Sequence, residues 1–290
     1  MLKKDKILTI VILVFVFLFI LALYSGLNKN DYSGDTFSSR DKIALIDLKG
    51  TIISADKLTT QLKKYRERDD VRALVLRINS PGGGVAASQE IYESVKRFRD
   101  SGKPVVASIA SVGASGGYYA AVGADKIMAN PGSITASIGV IATFPIIDDL
   151  LEMIKVEYKT LKTGKYKDTG SPFRDFTTAD SLEMAGIIED LYNQFFDAIA
   201  KERGIEKNHL KKIADGRILT GLQAFKAGLI DTLGTREDAI DLAAVLAEVK
   251  DPKLITPSKK KVTLFDLLFG DLNETKALLN NEPIVKYILK

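Results

Sequence analysis

Residues Ile109–Ala121 read IASVGASGGYYAA, and the fold of the whole chain turns on how this stretch is read. An apolar run, Val105–Ile109, leads into it. Small residues fill its middle, and Ser115 stands directly before Gly116 and Gly117. Tyr118 and Tyr119 follow, then more alanine. This pattern predicts a buried strand that turns sharply into a helix, with a serine at the turn. A serine there lies in the partial positive field of the helix start, beside backbone N–H groups that have no intrahelical acceptor. Such a place suits a nucleophile whose reaction develops an oxyanion. It equally suits a serine that caps a tight strand–helix connection, and the stretch by itself does not choose.

Working outward, strands and helices alternate. Ile43–Leu48 opens the folded region as a strand. Ser54 caps a helix over about Ala55–Arg68, with Leu58, Leu62 and Tyr65 at helical spacing. Val71–Ile78 is a second strand, broken by Asn79–Gly84. A helix over Ala87–Phe98 follows, then the strand Val105–Ile109 and the serine turn. Lys126–Ala129 and Ile134–Ile141 are expected as short strands, as are Glu157–Leu161 and Leu229–Ile230. Thr163–Phe176 is a polar loop. Thr177 or Thr178 caps a long helix to about Lys201, and helices near Gly221–Ala227 and Arg236–Val249 close the series. This alternation predicts an α/β fold, with helices flanking a largely parallel sheet.

The composition narrows the chemistry. With 290 residues, 46% of them hydrophobic, the chain holds one large domain or two small ones. A net charge of +4 without an arginine-rich tract argues against a nucleic-acid partner. The absence of cysteine excludes disulfides, thiolate catalysis and Cys-ligated zinc. The single histidine, His209, lies in the polar stretch KERGIEKNHLKK and reads as a surface residue. A Ser-His-Asp mechanism would have to recruit it, and a multi-His metal site cannot form within one chain.

The N-terminus carries a different signal. Residues 1–6 include Lys3, Lys4 and Lys6, and residues 7–24 form an apolar run whose only polar members are Thr9 and the terminal Tyr24. At about 1.5 Å per residue this run just spans a hydrocarbon core of about 30 Å. No clear A-x-A cleavage site follows, so an uncleaved signal anchor is expected, with a cleaved signal peptide as the alternative. Lysines concentrate before the run, which keeps the N-terminus inside and puts the remainder outside the cytoplasmic membrane. Residues 25–40 form a polar linker, 41–250 the main domain, and 251–290 a tail that contains the basic patch Lys259–Lys261. Its mixed segment Leu264–Lys290 suits a weakly held amphipathic helix.

Two further stretches bear on Ser115. Asn79–Gly84 reads NSPGGG; three glycines after a proline let backbone N–H groups face a cleft and let a substrate chain approach closely. The stretch follows a strand, where open α/β sheets bind ligands. It also suits an ordinary loop, and it is not a nucleotide-binding fingerprint. A serine nucleophile without cysteine or a nearby histidine needs another base. A lysine serves when burial disfavours its ammonium form. Lys155, Lys159, Lys162, Lys165 and Lys167 all follow the serine turn, and spacing does not choose among them.

NSPGGG, then SVGASGGYYAAVGADKIMANPGSITASIGV, then TGKYKDTGSPFR, in that order, resemble the short bacterial-type signal peptide peptidase A family of membrane-anchored Ser-Lys peptidases. The resemblance covers roughly Ile43–Val249 plus the anchor. It implies an α/β fold similar to that of Clp protease and crotonase. It places the nucleophile on Ser115, the general base on Lys167 with Lys165 as its neighbour, and the base-orienting hydroxyl on Ser137. The oxyanion donors fall on the N–H groups of Gly116 and Gly83, with Gly82 as the adjacent alternative to the latter. The implied substrates are peptides, above all remnant signal peptides met at the membrane lipid surface, and no metal or organic cofactor is needed. The family also implies a homo-oligomeric ring with active sites shared between neighbours, so that Lys167 serves Ser115 of its own or of an adjacent chain. A crotonase-like acyl-CoA enzyme explains neither the export signal nor the pairing of Ser115 with Lys167. A tethered scaffold without activity does not need the pair at all.

Overall fold

The computed structural model describes residues 12–17, 19, 41–257 and 286–288. The chain divides into two units, Met1–Ser39 and Arg40–Lys290. In the first unit, residues 12–17 and 19 are helical and their apolar side chains are exposed. Most of the predicted anchor, residues 7–24, and the linker lie outside the described residues, as does most of the segment Leu264–Lys290. Among the described residues no helix is long and apolar enough to cross a membrane.

The second unit is built on strands β1 (Lys42–Lys49), β2 (Val71–Ser80), β4 (Val105–Ala114), β5 (Lys126–Ala129), β6 (Ile134–Ala136), β7 (Ile218–Thr220), β8 (Thr232–Leu233) and β9 (Lys253–Ile255). They form one sheet whose main path runs β7-β6-β4-β2-β1-β9, with β5 bridging β4 and β8. Every pairing is parallel except β6 with β7, so the sheet is mixed. A separate short strand, β3 (Gly82–Gly84), pairs antiparallel with β10 (Lys286–Ile288).

Burial on both faces explains the parallel centre. In β2, Leu74, Leu76 and Ile78 pack into one cluster and Ala73 and Val75 into another, so the strand reads as a continuous apolar run. The larger cluster lies under α1 (Asp56–Arg66), α2 (Val85–Arg99), α3 (Gly116–Val122) and the second half of α5 (Thr178–Arg203). Leu58, Leu62 and Tyr65 of α1 and Ile91, Val95 and Phe98 of α2 are buried at the predicted spacing. The smaller cluster lies under α8 (Arg236–Leu246), through Ala239 and Ala243. Tyr119 stacks on Phe195 at 4.5 Å between ring centroids and lies 5.0 Å from Tyr92, which wedges α3 between α2 and α5. Each large buried side chain contributes roughly 1.5–3 kcal/mol through area removed from water.

Several elements differ from the sequence reading. β4 continues through Ala110–Ala114 because its two halves have different partners: residues 106–109 pair with β5 and 112–114 with β6. Glu157–Leu161 is not a strand; it pairs with no strand among the described residues, and its residues are exposed. The predicted strand at Leu229–Ile230 falls instead at β8. Thr177 caps α5 through a capping box with Asp180, a motif that contributes about 1 kcal/mol. No residue from 139 to 179 is fully buried, although this excursion includes α4 (Asp148–Met153) and many apolar side chains.

Candidate active site

Ser115 is placed by the C-terminal end of β4. The strand runs to Ala114 and α3 starts at Gly116, so the whole turn is made at Ser115 itself, at φ 52° and ψ −118°. That backbone lies in the region that disfavours a Cβ, and a non-glycine residue held there costs about 1–3 kcal/mol. Two bonds hold it: Ser115 N–H donates to the Ala136 carbonyl at 2.7 Å, and Tyr119 N–H donates to the Ser115 carbonyl at 2.8 Å. The residue is 1% exposed, and its hydroxyl makes no hydrogen bond among the described residues. A serine on a sharp, strained strand-to-helix turn is the arrangement that projects a nucleophile from the end of a sheet.

Ser137 arrives at the same place by a parallel route. Ala136 lies opposite Ala114 in the β4–β6 ladder, so Ser137 and Ser115 leave adjacent strands side by side. Ala136 and Ser137 also have positive φ, 63° and 53°, and Ser137 N–H donates to the Arg217 carbonyl at 2.9 Å. Three positions on the two adjacent strand ends, Ser115, Ala136 and Ser137, thus hold positive-φ backbone.

The glycine stretch lies against the same turn. Ser80 sits opposite Gly113 in the β2–β4 ladder, and a Cβ added at Gly117 would meet the Ser80 carbonyl at 2.8 Å. Within the stretch the three N–H groups have different fates. Gly82 N–H donates to Ser80 Oγ at 3.1 Å, and Gly84 N–H donates to the Ile52 carbonyl at 2.8 Å. Ile52 N–H returns a bond to the Gly82 carbonyl. Because alternate residues of a strand point to opposite edges, Gly83 turns its N–H and carbonyl away from Ile52, towards the edge where Tyr287 of β10 lies opposite it. A Cβ on Gly83 would sit 2.1 Å from the Ile52 carbonyl oxygen, so glycine is required by close approach. Gly116 N–H has no backbone acceptor among the described residues.

Lys167 is exposed on the turn that precedes α5, and among the described residues no hydrogen bond joins its side chain to Ser115 or Ser137. Its neighbours are engaged. Lys162 Nζ pairs with Asp168 and donates to the Lys165 carbonyl, and Lys165 Nζ lies 4.9 Å from the Tyr166 ring centroid. Asp168 is also bound by Arg174, which reaches on to Asp180. These contacts hold both carboxyls well below the usual carboxylate range, chiefly through the Arg174 hydrogen bonds. The stability this gives is present above the unfolded carboxylate range and is lost only as pH falls through those depressed values. His209 is exposed on α6 (Lys207–Lys211), away from the serine turn in sequence and capped into Glu206.

The fold gathers Ser115, Ser137, Gly83 and Gly116, the residues the sequence motifs point to, at the β4–α3 junction and the β3 edge. The motifs do not single out Ser80, Ile52 or the Asp168–Arg174–Asp180 group. Ser80 and two of the three acid and basic residues were inside quoted motifs, and the T-x-x-D spacing of Thr177 and Asp180 marks a helix cap.

The sequence signature of Peptidase family S49 matches residues 97–250, and that of Clp protease matches residues 32–136. The chain is 43% identical over 218 residues to a Synechocystis sp. protein that carries a protease name, slr0021, covering 75% of this chain and 78% of that one. It is 38% identical over 182 residues to an Enterococcus faecium protein that carries the name signal peptide peptidase SppA, covering 63% of this chain and about half, 53%, of that one. A solved structure of a ClpP1 mutant from Listeria monocytogenes superposes at a TM-score of 0.48 and 17% identity, over 68% of this chain and 94% of that one.

Proposed function

Because the chain belongs to peptidase family S49 and is a serine protease of the signal peptide peptidase A type, we propose that Ser115 and Lys167 form its catalytic dyad and that it cleaves remnant signal peptides at the outer face of the membrane that anchors it. The observation that carries this reading is the strained Ser115 turn set beside a glycine edge with a single outward-facing N–H. In the reaction, neutral Lys167 takes the Ser115 proton as Oγ attacks the peptide carbonyl carbon. The carbonyl oxygen becomes an oxyanion held by the N–H groups of Gly83 and Gly116. The resulting ammonium returns its proton to the leaving amine as the C–N bond breaks. Water, deprotonated by the same lysine, then releases the acyl group from Ser115. Ser137, whose strand end lies beside that of Ser115, orients the lysine.

The exposure of Lys167, with no hydrogen bond to Ser115 among the described residues, supports a shared site. Leu161, Met153 and Leu182 are 100%, 77% and 70% exposed, on or beside an excursion, residues 139–179, in which no residue is fully buried. Apolar surface of this kind marks a protein contact, and a second copy of the chain in a ring both covers it and brings Lys167 to a neighbour's Ser115. The apolar run at residues 7–24 supplies the anchor and holds the sites near the lipid surface.

Two experiments test the reading. A serine-directed phosphonylating probe is expected to modify Ser115 in the full-length protein, as mapped by mass spectrometry; labelling at another serine overturns the assignment. The second concerns β10, which lies antiparallel on β3 where an extended peptide would be read through its backbone. A tethered strand competes at an effective concentration of about millimolar. Truncation after residue 257 is therefore expected to raise kcat/KM for a short peptide by roughly tenfold, and an unchanged value would show that the edge is not the substrate edge.

A further inference from the structure

Lys167 stands on a loop with almost no core of its own, yet its position must be fixed for a proton to pass to it. The loop is instead tied by charge. Arg174 donates from Nε to Asp168 Oδ2 at 3.0 Å and from Nη2 to Asp168 Oδ1 at 2.9 Å. The same guanidinium donates from Nη1 to Asp180 Oδ2 at 2.6 Å and from Nη2 to Asp180 Oδ1 at 3.2 Å. Asp180 is only 2% exposed and sits in the first turn of α5, where it also receives Thr169 Oγ1 at 2.6 Å, Thr177 N–H at 3.0 Å and Thr177 Oγ1 at 2.7 Å. Asp168 is the residue after Lys167, and Thr169 follows it.

We propose that Arg174, bridging Asp168 to Asp180, is a positioning residue that fixes Lys167 for catalysis by locking its loop to the first turn of α5. The proposal rests on Lys167 being the base. A planar guanidinium can bind two carboxylates in two-point geometry at once, which an ammonium cannot. The bridge therefore sets orientation as well as distance for the residue that precedes Asp168. It also engages one competing cation, Lys162. Lys162 is drawn onto Asp168, while Lys165 lies beside the Tyr166 ring, so among the described residues Lys167 is the lysine of this turn left without a side-chain partner.

Kinetics on the full-length enzyme in detergent separate positioning from general support. Arg174→Ala is expected to lower kcat by about 10- to 100-fold, the cost of a base displaced by about an ångström, with KM changed little because the peptide is held at the β3 edge. Arg174→Lys is expected to fall between Arg174→Ala and the wild type. The decisive arm is the Lys167→Ala background, where Arg174→Ala is expected to change the residual rate less than about threefold, since a residue that acts through Lys167 has nothing left to position. An equal loss in both backgrounds, or a loss accompanied by a fall in melting temperature that Arg174→Lys does not restore, overturns the positioning role. Full kcat in Arg174→Ala overturns it as well. If Lys167→Ala itself keeps wild-type activity, the dyad fails, and the role of Arg174 with it; if Lys167→Ala is inactive while Arg174→Ala is not, only the clamp fails.

Discussion

Replacing Ser115 by alanine is expected to abolish peptide cleavage while leaving the domain folded. Loss of a serine nucleophile in a site of this kind costs on the order of 10⁶ in kcat, because the oxyanion donors and the base then act on water alone. The fold survives because Ser115 Oγ makes no hydrogen bond among the described residues, and the turn is held by the Ser115 N–H and carbonyl, which alanine keeps. Alanine inherits the left-handed backbone at φ 52° and its strain. Glycine does not, so Ser115→Gly is expected to be equally inactive but more stable than Ser115→Ala by about 1 kcal/mol, after the greater chain entropy of glycine is set against the relieved strain. Thermal melts of the two variants check this. A glycine variant no more stable than the alanine variant means that the turn stores no strain, and the case for a built nucleophile position weakens. Residual cleavage at the wild-type rate in either variant removes Ser115 from the mechanism.

Much of this site was legible because its chemistry is local in sequence. The serine turn needs small residues on both sides, since α3 packs directly on the Ser80 carbonyl through Gly117, and the string ASGGYY displays that need. The NSPGGG stretch likewise displays the close approach of Gly83 to Ile52. What composition misreads is the length of β4. Ala110–Ala114 looks like loop because it lacks bulky side chains, but a second partner, β6, continues the ladder, and Thr135 Oγ1 donates to the Gly113 carbonyl to fix it. Glu157–Leu161 fails in the opposite way: Val156, Tyr158 and Leu161 suggest a strand, yet the segment pairs with no strand among the described residues, and Tyr158 packs on Phe173 within the excursion. Composition does not tell Gly83 from Gly82, and only the resemblance favours Gly83; what distinguishes their N–H groups in the fold is Ser80 Oγ, which accepts from Gly82 N–H. Composition and spacing offer the base only as a group of lysines; the TGKYKD resemblance alone points to Lys167 among them.

Lys167→Ala is expected to lower kcat by about 10²–10⁴, the usual contribution of a positioned base, and to leave peptide binding nearly intact. Lys165→Ala and His209→Ala are expected to stay within about twofold of wild type: Lys165 lies beside the Tyr166 ring, and His209 is exposed on α6. The comparison separates two lysines only two positions apart, so it tests a geometric assignment and not a general need for positive charge. It also leads to a test of the shared site. A chain with Ser115→Ala keeps its Lys167, and a chain with Lys167→Ala keeps its Ser115. If each site is completed within one chain, a mixture of the two variants is as inactive as either alone. If Lys167 reaches a neighbour's Ser115, mixed assemblies regain complete sites wherever a Lys167→Ala chain receives its base from a Ser115→Ala neighbour. Random mixing at equal amounts makes that pairing about one in four of all neighbour contacts, so recovery towards a quarter of wild-type activity is expected after dissociation and reassembly of the mixed chains. The exposure of Lys167, on an excursion in which no residue is fully buried, is the reason the second outcome is the expected one.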